Sequence, residues 1–291
     1  MRVGKILKKI CICALIIALA MSFGNNKKMA SDNNHDSLAQ TIKTASNKKE
    51  YGVFIGATGS LKNYKNYKTI IIDAQYFSAK KIKTFKKAGC KVYSYINVGA
   101  LENFRDYYDD YKNLSLGQYE NWDEEVFIDV SSKKWQKFII DKLAPSLMKK
   151  GVDGLFVDNA DVYYEYKQKK IYKGLKVILK KLKLEAHNVI INGGDVFVSK
   201  YMKNGGNLND IATGINQESV FTKINWENES FAAADKDSRK YFKRYLKKCA
   251  AKGADIYIIE YTKNSKLKKK IKKYCMKRDY KVYISGSLEL T

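Results

Sequence analysis

Histidine is nearly absent: the 291 residues contain two, His35 in a polar segment and His187 ahead of an apolar run rather than behind one. A Ser-His-Asp triad, a Cys-His pair or a histidine-rich zinc centre therefore lacks its members, and acid-base work falls to Asp and Glu. Cysteine is sparse as well. Cys11 and Cys13 lie in the N-terminal segment, and the remaining Cys90, Cys249 and Cys275 are odd in number and widely spaced, which argues against a disulfide framework. Pairing of Cys249 with Cys275 stays open, with packed thiols on two helices as the expectation. A glycine-rich phosphate loop is also missing. The nearest stretch, GATGSLK at 56–62, fits neither GxGxxG nor GxxxxGK[ST], which disfavours a nucleotide-dependent enzyme. No metal and no cofactor are expected.

What is present begins with a leader. In residues 1–24, Arg2, Lys5, Lys8 and Lys9 precede the apolar stretch Ile10 to Ala20, and Ala18-Leu19-Ala20 forms a small-x-small site. This pattern is that of a secretory signal peptide, and the apolar stretch is shorter than the ~20 residues of a spanning helix. Residues 25–50 are polar and poor in large apolar residues, as in a linker, and the folded domain is expected over 51–291. Its charge is lopsided: +25 for the chain, still +21 without the four basic residues of the leader. Segments such as AKKIKTFKKAG and KLKKKIKKY carry their lysines between apolar residues at helical spacing. That reads as a solvated outer helix face and not as a nucleic-acid site. An exported chain this basic is open to association with an anionic cell wall or matrix.

Eight apolar runs have the length of strands: 53–56, 69–73, 91–97, 154–158, 189–192, 211–216, 256–260 and 282–285. Amphipathic stripes separate them. Trp135, Phe138, Ile139, Leu143 and Leu147 recur every three or four residues, as do Tyr241, Tyr245, Leu246 and Cys249. Continuous apolar strands alternating with such helices indicate a covered parallel sheet, and eight units close best as a single (β/α)8 TIM barrel. A doubly wound open sheet is the rival, disfavoured by the missing phosphate loop.

In a barrel of this kind the C-terminal strand ends and the loops after them build the site. Glu102, Asp158, Glu218 and Glu260 each follow or end an apolar run. Asp73, Tyr95, Asn97, Asn159, Asp161, Asn192, Asp195 and Asn216 lie at or near such ends. So many acids and amides at one rim are costly unless a polar ligand or solvent satisfies them. Asp73 and Asp161 also suit helix caps. Residues 98–130 form an insertion over the mouth that contains Tyr107, Tyr108, Tyr111, Tyr119 and Trp122, rings suited either to sugar stacking or to a satellite core. Carboxylates and aromatics around a barrel mouth point to carbohydrate chemistry.

The ordered segments SYINVGALE with FRDYY, VFIDVSSKKW, GVDGLFVDNADVYY, VIINGGDVF, GINQESVF and IIEYT resemble the spherulin-4-like secreted barrels, glycoside hydrolase family 114, over about Tyr51 to Ser285. The resemblance implies endo-α-1,4-polygalactosaminidase activity, with Asp158 and Glu218 as the catalytic pair. By analogy with other barrels, Asp158 is expected as nucleophile and Glu218 as acid/base. Asp73, Tyr95, Asn97, Glu102, Trp122, Asn159, Asp161, Asn192 and Glu260 are then the expected substrate-binding residues for a galactosamine-containing polysaccharide. The acids among them suit the ammonium groups of deacetylated units. A non-catalytic glycan-binding or matrix protein on the same barrel is the alternative. Oligomeric state has no signal in the sequence.

Overall fold

The computed structural model describes residues 48–120 and 122–291. The expected signal peptide and nearly all of the linker lie outside the described residues. Eight strands form one parallel sheet in the order β1 (Lys49–Phe54), β2 (Tyr67–Ile72), β3 (Lys91–Asn97), β7 (Gly154–Asp158), β8 (Val189–Asn192), β9 (Gly214–Glu218), β12 (Asp255–Tyr261) and β13 (Lys281–Ser285). β13 packs back against β1, and beyond it the Leu290 carbonyl accepts a hydrogen bond from Gly56 N, so the sheet curls into a (β/α)8 barrel. Two excursions rise from it. β4 (Ala100–Glu102), β5 (Ser115–Gln118) and β6 (Glu125–Ile128) make a small antiparallel sheet in the order β4-β6-β5, and β10 (Thr222–Asn225) pairs with β11 (Ser230–Ala233) as a hairpin.

The helices are α1 (Ala79–Lys87), α2 (Tyr108–Tyr111), α3 (Lys133–Phe138), α4 (Ala144–Lys149), α5 (Val162–Glu165), α6 (Lys169–Ala186), α7 (Asp195–Lys203), α8 (Lys236–Ala250) and α9 (Ser265–Met276). Their starts follow local chemistry. Asp235 accepts from Asp237 N and Ser238 N at the head of α8, and Asn264 accepts from Leu267 N at the head of α9. Each helix turns its apolar stripe inward, as α6 does with Ile171, Leu175, Ile178, Leu179 and Leu182. The stripe from Trp135 to Leu147 is buried throughout. In the second stripe Tyr245, Leu246 and Cys249 are buried, whereas Tyr241 stands exposed and its hydroxyl meets the Asp195 carboxylate. Cys90, Cys249 and Cys275 are buried free thiols.

Two apolar clusters divide the strand residues by parity, because successive side chains point to opposite faces of a strand. Tyr51, Val53, Ile71, Tyr93, Tyr95, Phe156, Ile190, Tyr257, Ile259 and Tyr261 fill the barrel interior. Their neighbours Ile70, Ile72, Val92, Ile96, Leu155, Val157, Ile191, Ile215, Ile256 and Ile258 face the helices. The interior is rich in tyrosine, and glycine makes room for it. A Cβ on Gly154 would lie 2.6 Å from Tyr93 Cε1, and one on Gly214 2.9 Å from Tyr257 Cε2. In β3, β7, β8, β9 and β12 inward parity carries through to the last residue, which sends Asn97, Asp158, Asn192, Glu218 and Tyr261 toward the mouth.

Candidate active site

Asp158 ends β7 two residues after the interior Phe156, and Glu218 ends β9 in register with Ile259 of β12. Between them stands Asn192, the last residue of β8. Its Nδ2 donates to Asp158 Oδ1 and to Glu218 Oε1, each at 2.9 Å, so the two oxygens are at most 5.8 Å apart, twice 2.9 Å. The orientation of that amide is set from behind. Tyr51 Oη donates to Asn216 Oδ1 at 3.2 Å, and Asn216 Nδ2 donates to Asn192 Oδ1 at 2.6 Å, leaving the Asn192 NH2 to face the acids. Asn159 N also donates to Asp158 Oδ1, and Tyr261 Oη donates to Glu218 Oε2 at 2.6 Å. Asp158 Oδ2 alone among the four oxygens accepts no hydrogen bond from the described residues.

The chain turns sharply after each acid: Asn159 has φ 62° and Ser219 φ 56°. Left-handed backbone at residues other than glycine costs roughly 1–2 kcal/mol each and is held only where the surroundings enforce it. Burial drives the Asp158 pKa well above the ordinary carboxylate value, and the charges of Glu218 and Glu125 add to it, against the Asn192 and Asn159 donors. Asp158 therefore holds its proton more firmly than an ordinary carboxyl group.

Two further acids stand at the same mouth. Glu125 reaches in from β6, where Asn97 Nδ2 and Asn159 Nδ2 both donate to its Oε2, at 3.2 and 3.0 Å. Burial, then the charge of Glu102, pushes its pKa to about 7. Asp161 accepts from Gly194 N at 3.0 Å, and burial pushes it to about 7 despite that bond. Gly193 and Gly194 wrap it at φ 63° and 64°, and a Cβ on Gly193 would lie 2.4 Å from Asp161 Oδ2. Across the mouth Asp73 and Glu102 share Arg105: Nη1 donates to Asp73 Oδ2 at 2.6 Å, Nε to Glu102 Oε2 at 2.6 Å and Nη2 to Glu102 Oε1 at 2.9 Å. Burial works against the guanidinium charge, but these two acids outweigh it and raise the Arg105 pKa.

These six acids and Arg105 line a cavity of about 1070 Å³, whose walls carry nine carboxylates and two cations, Arg105 and Lys223. Exposed Tyr76 and Phe104 stand at the rim. So do Trp122, from the β5–β6 turn, and Trp226, from the β10–β11 turn, which meet edge to face with ring centroids 5.6 Å apart.

The sequence profile of glycoside hydrolase family 114 matches residues 32–286. The chain belongs to glycoside hydrolase family 114. It is thus a glycosidase. Among solved structures it is similar to the glycoside hydrolase domain of PelA from Pseudomonas aeruginosa, at 17% identity and a TM-score of 0.68, covering 84% of this chain and 95% of that one. It is also similar to Ega3 from Aspergillus fumigatus, solved in complex with galactosamine, at 15% identity and a TM-score of 0.62, covering 84% of this chain and 93% of that one. At these identities the likeness is one of fold. No curated protein matches the chain in sequence.

On this family 114 barrel, Asp73, Tyr95, Glu102, Trp122, Asp158, Asn159, Asp161, Asn192 and Glu218 all line the cavity, as expected of a shared mouth. Asn97 and Glu260 do not. Asn97 lies beneath it, with Oδ1 accepting from Ala100 N and its amide held by Glu125. Glu260 has the parity of Ile256 and Ile258 and faces outward, fully buried, where Phe221 N (2.8 Å) and the Thr222 hydroxyl (2.6 Å) occupy both its oxygens. Parity hands the inward place to Tyr261. The sixth barrel strand also starts later than expected and includes Glu218. Tyr107 and Tyr111 pack on Phe138 and Tyr108 on the core, leaving Tyr119 and Trp122 at the cavity.

Three residues escaped sequence reasoning. The signal for Tyr261 was alternation within DIYIIEY. Arg105 lay in FRDYY with no hint of its partners, and Glu125 was one acid in the run NWDEEVF.

Proposed function

We propose that this protein is an exported, endo-acting glycosidase that cleaves α-1,4-linked galactosamine-containing polysaccharide with retention, Asp158 being the nucleophile and Glu218 the acid/base. The observation that carries the reading is the single Asn192 amide bridging the two acids. Its geometry keeps their facing oxygens within 5.8 Å, near the ~5–5.5 Å of retaining enzymes and short of the ~6.5–9.5 Å that leaves room for an attacking water.

In this mechanism Asp158 Oδ2, the unengaged oxygen, attacks the anomeric carbon. The bond to the glycosidic oxygen breaks, and that oxygen takes the proton of Glu218. Water then gives a proton to Glu218 while its oxygen displaces Asp158, which releases the sugar with its configuration kept and restores both acids. Attack requires Asp158 ionised and the acid/base protonated. An ammonium bound beside Asp158 favours the ionised form of that residue, so a cationic sugar readies the nucleophile as it binds.

The excess of acids in the cavity supports a cationic glycan despite the basic surface, and the galactosamine bound to Ega3 is in keeping with it. A volume at the upper end of the ~300–1,000 Å³ typical of small-molecule sites suits several sugar units, with Trp122, Trp226, Tyr76 and Phe104 as stacking faces along an internal stretch of polymer. Asp161 and Glu125 are the acids free to meet ammonium groups. Export rests on the leader pattern of residues 1–24; among the described residues no helix is long and apolar enough to cross a membrane.

The test is release of reducing ends from partly deacetylated α-1,4-galactosaminan, with product lengths and the anomer first formed followed by NMR. Internal cleavage giving the α-anomer is expected. A protein that binds the polymer without cutting it would return the reading to a glycan-binding role, and a β-anomer would make Asp158 a general base.

A further inference from the structure

The outer helices α8 and α9 carry almost nothing but cations on their solvent faces, KDSRKYFKRYLKKCA and SKLKKKIKKYCM. Their apolar stripes, Tyr245, Leu246 and Cys249 on α8 and Ile271 and Cys275 on α9, are buried against the barrel. What remains converges along the groove between them. Arg239 and Lys243 are one turn apart on α8, and Lys270, Tyr274 and Arg278 follow at intervals of four along and just past α9. Tyr274 joins the two rows: Arg278 Cζ lies 3.9 Å from its ring centroid and Lys243 Nζ 4.9 Å, the latter also 4.8 Å from the ring of Phe221.

None of Arg239, Lys243, Lys270 and Arg278 has a carboxylate partner among the described residues, and Asp237 and Asp279, the acids nearest in sequence, form no ion pair. Helix α6 is equally rich in lysine but differs, since Lys170 pairs with Asp129 and Lys180 with Asp210. The repulsion is registered at Lys243, whose pKa is lowered by partial burial and by Arg239, Lys270 and Arg278. Like charges gathered on a packed aromatic ring are unfavourable alone and favourable around an anion.

We propose that the α8/α9 groove is a binding site for a linear phosphodiester polymer, centred on Arg239, Lys243, Lys270 and Arg278. Extent favours a polymer over a single phosphate: α9 alone is about 18 Å long at ~1.5 Å per residue, and exposed Lys266, Lys269 and Lys273 continue the row. A lipid surface is disfavoured because Tyr241 and Met276 are the large exposed apolar side chains of these helices, too few for insertion. Nucleic-acid bases would seek a free aromatic face, and that of Tyr274 is taken by Arg278 and Lys243. The site is independent of the carboxylate mouth and would hold the enzyme on an anionic surface while leaving hydrolysis unchanged.

The experiment titrates the full chain with labelled poly(glycerol phosphate) at several salt concentrations. The fourfold variant Arg239→Gln, Lys243→Gln, Lys270→Gln, Arg278→Gln is expected to bind at least ~10-fold more weakly, with a log K against log salt slope shallower by about 3, as for four phosphate contacts at ~0.7 each. A fourfold control on α6, Lys169, Lys173, Lys176 and Lys181 each to Gln, should stay within about threefold of the parent. Should the fourfold groove variant fail to fold, Arg239→Gln with Lys270→Gln leaves the Tyr274 stack intact and should lose about half the slope change. Equal weakening by groove and control variants would reduce the effect to net charge and overturn the site, as would absence of binding at low salt. Tighter binding of anionic vesicles or single-stranded DNA through the same four residues would overturn the assigned ligand.

Discussion

Asp73 with Glu102 on one side of the mouth and Asp158 with Glu218 on the other are both pairs of carboxylates at strand ends, but different groups lie between them. Arg105 occupies the first gap with a full charge and three donors; the second is spanned by the neutral amide of Asn192. A guanidinium cancels the charge and consumes the oxygens, so the first pair is a structural ion cluster, closed to an incoming ammonium. An amide orients two acids without cancelling either, so burial and repulsion remain and keep the Asp158 pKa raised. Near-identical residue types in one cavity thus acquire different roles from a single intervening side chain.

The largest effects should fall on opposite properties in the two pairs. Asp158→Asn and Glu218→Gln, which keep shape and remove the charge or titrating proton, are each expected to lower kcat by about 10²–10⁴-fold. Calorimetry should show the melting temperature of Asp158→Asn unchanged or higher, because a buried like-charge repulsion has been removed. Arg105→Met should do the reverse. It strands Asp73 and Glu102, at a cost of about 3–5 kcal/mol, read as a fall in melting temperature of roughly 2–4 °C per kcal/mol. If Arg105→Met left stability intact and abolished turnover, the structural assignment of that pair would be wrong.

Glu125→Gln sharpens the contrast through pH. The folded-state pKa of Glu125, about 7, lies above its ordinary 4.5, so between these values the unfolded chain sheds a proton that the folded chain keeps. Stability therefore falls as pH rises across that window, and the thermal advantage of the variant should be absent below pH 4.5 and complete above pH 7. Because the Glu125 charge also raises Asp158, which must be ionised to attack, the acid limb of kcat/KM should move to lower pH in the variant. A limb that does not move would remove Glu125 from the electrostatics of the pair. The smallest effect is expected at the rim, where Trp122→Ala or Trp226→Ala should raise KM for polymer about fivefold, as for ~1 kcal/mol of aromatic contact, with kcat held.

Much of this arrangement followed from the sequence alone. Apolar runs of strand length such as LFVD and VIIN, with helical stripes between them, pointed to eight covered parallel strands, and the missing phosphate loop favoured a barrel over an open sheet. Within each strand the two-residue period sends Asp73, Asn97, Asp158, Asn192 and Glu218 inward, and applied strictly it would have excluded Glu260 and selected Tyr261. Alternation is a property of the backbone and needs no knowledge of neighbours.

Only the tertiary structure decided which groups meet. Glu125 arrives on a strand of the insertion, Arg105 from the turn after β4, and Asn192 spans two acids 34 and 26 residues away along the chain. Those meetings depend on how the excursions fold back over the mouth. Charge balance depends on the distances that result, so a linear pattern that marks every carboxylate alike cannot say which is neutralised and which is left poised.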